Sequence, residues 1–235
     1  MFIAFDVGET LIEYGGLALD WSEHYRPALH HALSGVGATA NEDALSLACE
    51  ILTFYNTRKN PRTFEVEAGE VTAKIAKLFE VSPSAFEAHF FSYFRRRTRP
   101  MTSAFQLLGQ LRNAGAYLAA FSDVPYGMPT SMLIEDLGEL AGAFDCIASS
   151  CDVGTRKPDS KGLRQLLRAS GCSGNRAYYV GNERKDMAAA LSAGMQGILL
   201  SSKLSFPDYG QTQSVRSLAE VAKIVLDRAN PTDMA

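Results

Sequence analysis

Apolar positions recur along the chain in two rhythms. Short apolar runs occupy residues 2–5, 117–121, 144–148, 177–180 and 197–200. Each is four or five residues long, the length of a strand buried on both faces of a parallel sheet. Amphipathic stretches separate them. One carries Phe105, Leu107, Leu108 and Leu111 and closes at Asn113-Ala114-Gly115. Others span 132–140, run from Pro158-Asp159 through Leu163 and Leu166 to Gly171, span 187–193 before Gly194, and span 215–229. Glycine past a helix end and Pro or Asp at its start are the expected punctuation. Alternating strands and helices predict an α/β fold: an open, doubly wound parallel sheet covered on both faces.

Residues 14–99 break that alternation. Stretches 21–33, 42–55, 67–79 and 84–97 all have the helical period, joined at Gly35-Val36-Gly37, Asn60-Pro61-Arg62 and Val81-Ser82-Pro83. Four helices between the first and second strands read as an α-helical domain, 14–99, inserted into a core made of 1–13 and 100–235. The aromatic run Phe90, Phe91, Tyr93 and Phe94 reads as the insertion's own core or its contact with the sheet domain. The tail 230–235 is expected to fray.

The 235 residues are 46% hydrophobic and 21% charged, the makeup of an ordinary globular protein. With 23 basic against 26 acidic residues the net charge is −3, which argues against a bulk electrostatic hold on nucleic acid or an anionic membrane. No apolar run approaches the roughly 20 residues of a membrane span. The N-terminus has no basic region and carries an acid at position 6, unlike a secretory signal. Cys49, Cys146, Cys151 and Cys172 form no metal-type spacing and read as free thiols in a reducing compartment. The expectation is a cytoplasmic monomer or homodimer with no nucleic-acid or membrane partner.

Ligands of open α/β sheets bind beyond the carboxyl ends of the strands. Asp6-Val7-Gly8-Glu9-Thr10 follows the first run, Ser122-Asp123 the second, Lys157-Pro158 comes after the third, and Gly181-Asn182-Glu183-Arg184-Lys185-Asp186 follows the fourth. An acid, a hydroxyl, a lysine and a second acidic cluster thus converge on one edge. Such a set suits group transfer: a carboxylate attacks, a hydroxyl and an ammonium hold anionic oxygens, and carboxylate or amide oxygens hold magnesium.

At these four places the sequence resembles the haloacid dehalogenase superfamily, most of whose members are phosphatases. Asp6 and Thr10 match its Asp-x-Asp-x-Thr motif, with Gly8 in place of the second Asp. Ser122 matches its second motif and Lys157-Pro158 its third. Gly181-Asn182 with Asp186 matches its fourth, with Asn for the first Asp. The helical insertion resembles that superfamily's C1-type cap. The resemblance implies Mg2+-dependent hydrolysis of a small phosphorylated metabolite through an aspartyl-phosphate on Asp6. Ser122, Asp123 and Lys157 would bind the substrate, and Thr10 would brace the first loop. Asp6, the carbonyl of Gly8, Asn182 and Asp186 would hold the metal.

The departures matter. The acid two residues after the nucleophile protonates the leaving oxygen in the phosphatases, and Gly8 has no side chain to do so; such a loss costs roughly 10²–10⁴ in rate. Glu9 and Glu13 are the nearby carboxylates that could substitute, and Glu9 joins the catalytic candidates. Gly8 and Asn182 also suit two alternatives: a metal-independent dehalogenase-type hydrolase, and a non-catalytic binding protein of the same fold. Arg95, Arg96, Arg97 and Arg99 form a basic cluster that ends the last inserted helix; it reads as a solvated helix end, where cations favour the dipole, or as a helper for an anionic substrate entering between insertion and core.

Overall fold

A computed structural model describes residues 1–18, 20–172 and 176–227. Among them no helix is long and apolar enough to cross a membrane. The end of the last expected helix, at 228–229, and the tail 230–235 lie outside the described residues.

The core is a six-stranded sheet with order β5-β4-β1-β6-β7-β8, every pair parallel. Its strands are β1 (Phe2–Phe5), β4 (Tyr117–Ser122), β5 (Cys146–Ser149), β6 (Ala177–Gly181), β7 (Gln196–Leu200) and β8 (Gln213–Val215). The first strand sits at the centre, Ile3 facing Leu118 on one side and Tyr178 on the other. Because side chains alternate across a strand, β1 feeds two cores. Ile3 and Phe5 pack with α5 (Ala104–Asn113), α6 (Thr130–Leu137) and α10 (Leu218–Asp227). Phe2 and Ala4 pack with α8 (Lys161–Ser170) and α9 (Arg184–Ser192) on the other face. The helices close as expected: Gly171 follows α8 in the left-handed conformation, and Asp159 Oδ1 accepts the Lys161 amide at 2.7 Å near its start.

Two short elements were invisible in the apolar pattern. Val215, expected to open the last helix, instead pairs with Leu200 at the sheet edge, and the helix starts at Leu218. A two-stranded antiparallel ribbon, β2 (Ile12–Tyr14) and β3 (Thr98–Pro100), lies where the insertion leaves and rejoins the core. Three-residue strands are too short to show a period.

Between them lie α1 (Tyr25–Gly35), α2 (Glu42–Tyr55), α3 (Glu70–Leu78) and α4 (Pro83–Arg95). The helix expected over 21–33 begins instead as a 3-10 turn, Trp21–His24, and is α-helical only from Tyr25. Phe86, Phe90, Phe91 and Phe94 are buried, and Trp21 stacks on Phe94 at 3.8 Å between centroids. The insertion is fastened to the core away from the ribbon as well. Thr63 accepts the Arg156 amide at 2.8 Å, and Gly154 accepts the Glu65 amide at 3.0 Å. The buried Glu65 carboxylate pairs with Arg156 and accepts the Ser150 hydroxyl at 2.6 Å. Gly127, at φ +69°, lets its backbone pass the carbonyl of Glu67, which a Cβ would strike. On α4, Arg95 pairs with the buried Asp136 of α6 at 2.8 Å.

Candidate active site

The carboxyl edge of the sheet carries the chemistry. Asp6 follows β1, Ser122 ends β4, and Asn182 follows β6. Lys157 reaches the same point from the loop after α7 (Ser150–Val153), a four-residue helix that the sequence reading did not contain. Its Nζ donates to Asp6 Oδ1 at 2.6 Å and to the Tyr179 hydroxyl at 3.0 Å, and contacts Asp186 Oδ1 at 2.7 Å. All four residues are buried.

The electrostatics follow from that geometry. Burial, opposed by Lys157 and reinforced by Asp186, pushes the Asp6 carboxyl up to about 6. Burial disfavours the Lys157 ammonium, but Asp186 and Asp6 outweigh it and hold its pKa well above the ordinary lysine range. Burial likewise opposes ionisation of Asp123, yet Lys157, Lys185 and Arg156 together keep that carboxyl below its usual range. Asp123 Oδ1 accepts the Lys157 amide at 3.0 Å and Oδ2 pairs with Lys185 at 2.9 Å, so Asp123 fixes the loop that carries Lys157.

A pocket of about 120 Å³ opens onto Asp6, Gly8, Ser122, Asp123 and Asn182. Among the described residues the Ser122 hydroxyl has only a long contact of 3.4 Å to the Asp123 carbonyl, leaving it to turn toward a ligand. Arg58, Arg156 and Lys185 supply cationic walls. Glu183 bridges Arg58, from the insertion, and Lys185. Tyr14 also borders the pocket, donating to Asp136 at 3.0 Å; burial and the Asp136 charge raise its phenol well above the ordinary value.

The other expected residues fall elsewhere. Asp186, expected among the metal ligands, is fully buried and does not line the pocket. Its Oδ2 accepts the amides of Asn182 and Glu183 at 3.1 and 2.8 Å, capping α9, while Oδ1 faces Lys157. Gly181 makes this possible, because a Cβ there would stand 2.6 Å from Asp186 Cβ. Glu9, at φ 56°, and Glu13 line a different cavity of about 460 Å³, which meets the first only at Asn182. Thr10 is buried and its hydroxyl has no hydrogen-bond partner among the described residues. Arg95 faces Glu135 and Asp136 rather than the pocket.

Sequence reasoning missed Tyr179, Arg58, Arg156, Lys185, Glu183 and Tyr14. Glu183 and Lys185 stood inside the stretch after the fourth apolar run, and Arg156 directly before Lys157; proximity to the motifs was the available signal. Arg58 carried none, being one arginine in a polar loop 98 residues from Arg156.

Donor chemistry permits a magnesium ion. The Asp6 carboxylate, the Gly8 carbonyl and the Asn182 amide oxygen are hard oxygen donors on residues that border one pocket. Among the described residues no group of three or more His, Cys, Asp or Glu could hold a metal, as expected where two of three donors are an amide and a main-chain carbonyl.

The chain is also similar to known proteins. The chain is similar to the phosphoglycolate phosphatase of Mesorhizobium japonicum, 26% identical over 198 residues, 82% of this chain and 79% of that one. It is similar to the glyceraldehyde 3-phosphate phosphatase of Methanothermobacter thermautotrophicus, 27% identical over 204 residues, 86% of each chain. The fold matches the crystal structure of a HAD phosphatase from Thermococcus onnurineus with a TM-score of 0.65 at 18% identity, covering 95% of this chain and 96% of that one. The family model for haloacid dehalogenase-like hydrolases matches residues 2–194, from the first strand through the helix that Asp186 caps, and by that match this chain belongs to the haloacid dehalogenase-like hydrolase family.

Proposed function

We propose that the protein is a magnesium-dependent phosphatase acting on a small phosphorylated metabolite through a phosphoryl group carried on Asp6. The observation that carries this reading is that Asp6, which borders a cation-walled pocket together with Ser122, is paired at 2.6 Å with the buried Lys157 behind it. An Asp6 oxygen attacks phosphorus, forming the aspartyl O–P bond as the ester O–P bond breaks. The alkoxide leaves and takes a proton from solvent water. Water then attacks the aspartyl-phosphate, releasing inorganic phosphate and regenerating the carboxylate. Lys157 and the Ser122 hydroxyl donate to the transferring oxygens and offset the charge that develops on them.

Asp6, the Gly8 carbonyl and Asn182 would hold magnesium, which neutralises charge on the phosphoryl oxygens. Asn182 keeps the oxygen donor of an aspartate but not its charge. Residues 14–99 serve as the cap, contributing Trp21, Tyr55, Asn56, Thr57 and Arg58 to the pocket wall and so selecting the substrate. The pocket's small volume and the names of the two relatives both favour a substrate of few carbon atoms. The expectation of a cytoplasmic protein free of nucleic acid and membrane goes with this reading.

Gly8 favours one other reading, metal-independent haloacid hydrolysis on the same Asp6. Hydrolysis of p-nitrophenyl phosphate, with magnesium and with chelator, on wild type and Asp6→Asn decides between them. Turnover that needs magnesium and disappears in Asp6→Asn is expected. Chelator-resistant turnover of a haloacid, with none of the phosphate ester, would overturn it.

A further inference from the structure

The buried tyrosine in β6 takes no part in the chemistry above. Tyr179 lies on the sheet face turned to α8 and α9 and is fully buried. Its hydroxyl donates to the Phe121 carbonyl at 2.9 Å, so toward Lys157 it can only accept, at 3.0 Å from Nζ. Phe121 directly precedes Ser122. One phenol oxygen therefore ties the ammonium of Lys157 to the strand end that carries the serine hydroxyl.

The Lys157 ammonium touches three oxygens, and they are not equivalent. The contacts to Asp6 and Tyr179 are hydrogen bonds. The contact to Asp186 is an ion pair whose Oδ1 has no partner of hydrogen-bond geometry among the described residues. Phosphoryl transfer alters the first of these: once Asp6 is esterified its negative charge is gone, and an N–H of Lys157 turns to the transferred group. Asp186 then attracts the ammonium without directing it. Of the two hydrogen bonds, the one to Tyr179 is the one whose acceptor the transfer leaves unchanged.

We propose that Tyr179 is a positioning residue for phosphoryl transfer, pinning Lys157 to the backbone before Ser122 so that both phosphoryl-binding groups keep their spacing while Asp6 is esterified. This rests on the reading of Asp6 given above. The effect falls on the transfer and hydrolysis steps rather than on ground-state binding, since the free enzyme retains the Asp6–Lys157 bond. A hydrogen bond to a charged group, removed from those steps alone, corresponds to a roughly 10- to 100-fold loss of rate.

The test is steady-state hydrolysis of p-nitrophenyl phosphate with magnesium by wild type, Tyr179→Phe and Asp6→Asn. Tyr179→Phe keeps the ring and its packing. Its kcat should fall roughly 10- to 100-fold while KM stays within about twofold and the melting temperature stays near wild type. A purely structural tyrosine would leave kcat unchanged at that melting temperature. Full kcat in Tyr179→Phe, with Asp6→Asn inactive, overturns this role alone. An active Asp6→Asn, or a wild type without turnover, overturns the reading of Asp6 and this role with it. Should Tyr179→Phe not fold, 4-aminophenylalanine at position 179 makes the same cut, since it donates to Phe121 and accepts poorly from an ammonium; full kcat there also overturns the role.

Discussion

Gly8 is where a carboxyl is missing, and Gly8→Asp tests what the absence costs. The backbone there is not left-handed, so it does not require glycine. A Cβ built on it meets only Tyr14 Cε2, at 3.6 Å, an ordinary van der Waals contact. The new carboxyl would enter the pocket beside Asp6. At a separation of about 5 Å and an effective dielectric of about 20, two carboxylates repel by about 3 kcal/mol. That is about two pKa units, enough to lift the new acid from about 4 toward about 6 and hold part of it protonated near neutral pH. A protonated group beside the leaving oxygen is the ingredient the wild-type loop lacks.

The gain depends on the leaving group. An alkoxide needs the proton, and a general acid contributes about 10²–10⁴ in rate. The p-nitrophenolate ion leaves without one. Measured as kcat with magnesium, Gly8→Asp should speed hydrolysis of glycerol phosphate by about 10² or more and change that of p-nitrophenyl phosphate by less than about threefold. If a folded Gly8→Asp variant gains nothing on the alkyl ester, another group already supplies the proton in the wild type and the reasoning about Gly8 fails. Equal gains on both esters would refute it too, because they would mark a change in binding rather than in proton transfer.

Two further outcomes follow from buried charges. In the metal-free protein, ¹³C NMR of the carboxyl groups should show Asp6 titrating at about 6, with the midpoint moving higher in Lys157→Met, where the lowering influence of the ammonium is lost; a midpoint near the ordinary aspartate value of 3.8 would show that burial does not dominate. Glu65→Gln leaves the buried Arg156 guanidinium without its counter-charge, and urea unfolding should register a loss of about 3–5 kcal/mol, most of it regained in Glu65→Gln/Arg156→Met. A loss under about 1 kcal/mol would mean that water reaches the pair and screens it.

The parts of the molecule that were legible in the sequence are those where one local signal has one structural meaning. Runs 2–5 and 177–180 announced strands because a strand buried on both faces has no polar positions to interrupt it. Asp6, Ser122 and Asn182 were found because strand ends in such a sheet face the ligand. The same logic hid Tyr179. Inside the run 177–180 a tyrosine looks like core, and its ring is core; only its hydroxyl, directed at Phe121 and Lys157, is not. The spacing of Asp186 from Asn182 was legible but its orientation was not. The two residues that lead into α9, Asn182 and Glu183, offer free amides, and the carboxylate of Asp186 in its first turn takes them. Gly181, with no Cβ, leaves the room.

What joins the insertion to the core was beyond any local signal. Glu65 and Arg156 stand 91 residues apart, and each reads in the sequence as one more solvated charge. Only folding puts them together, with side chains 0% and 5% exposed. Arg156 also donates to the Val124 carbonyl at 2.7 Å, two residues after Ser122, and is followed directly by Lys157. One guanidinium therefore links the inserted segment around Glu65 to the loops that carry the serine and the lysine. Residues 14–99 form a separate block when elements are counted by type. The buried charge pair ties them to the loops that carry Ser122 and Lys157, and a change at Glu65 falls directly on Arg156, which borders the pocket.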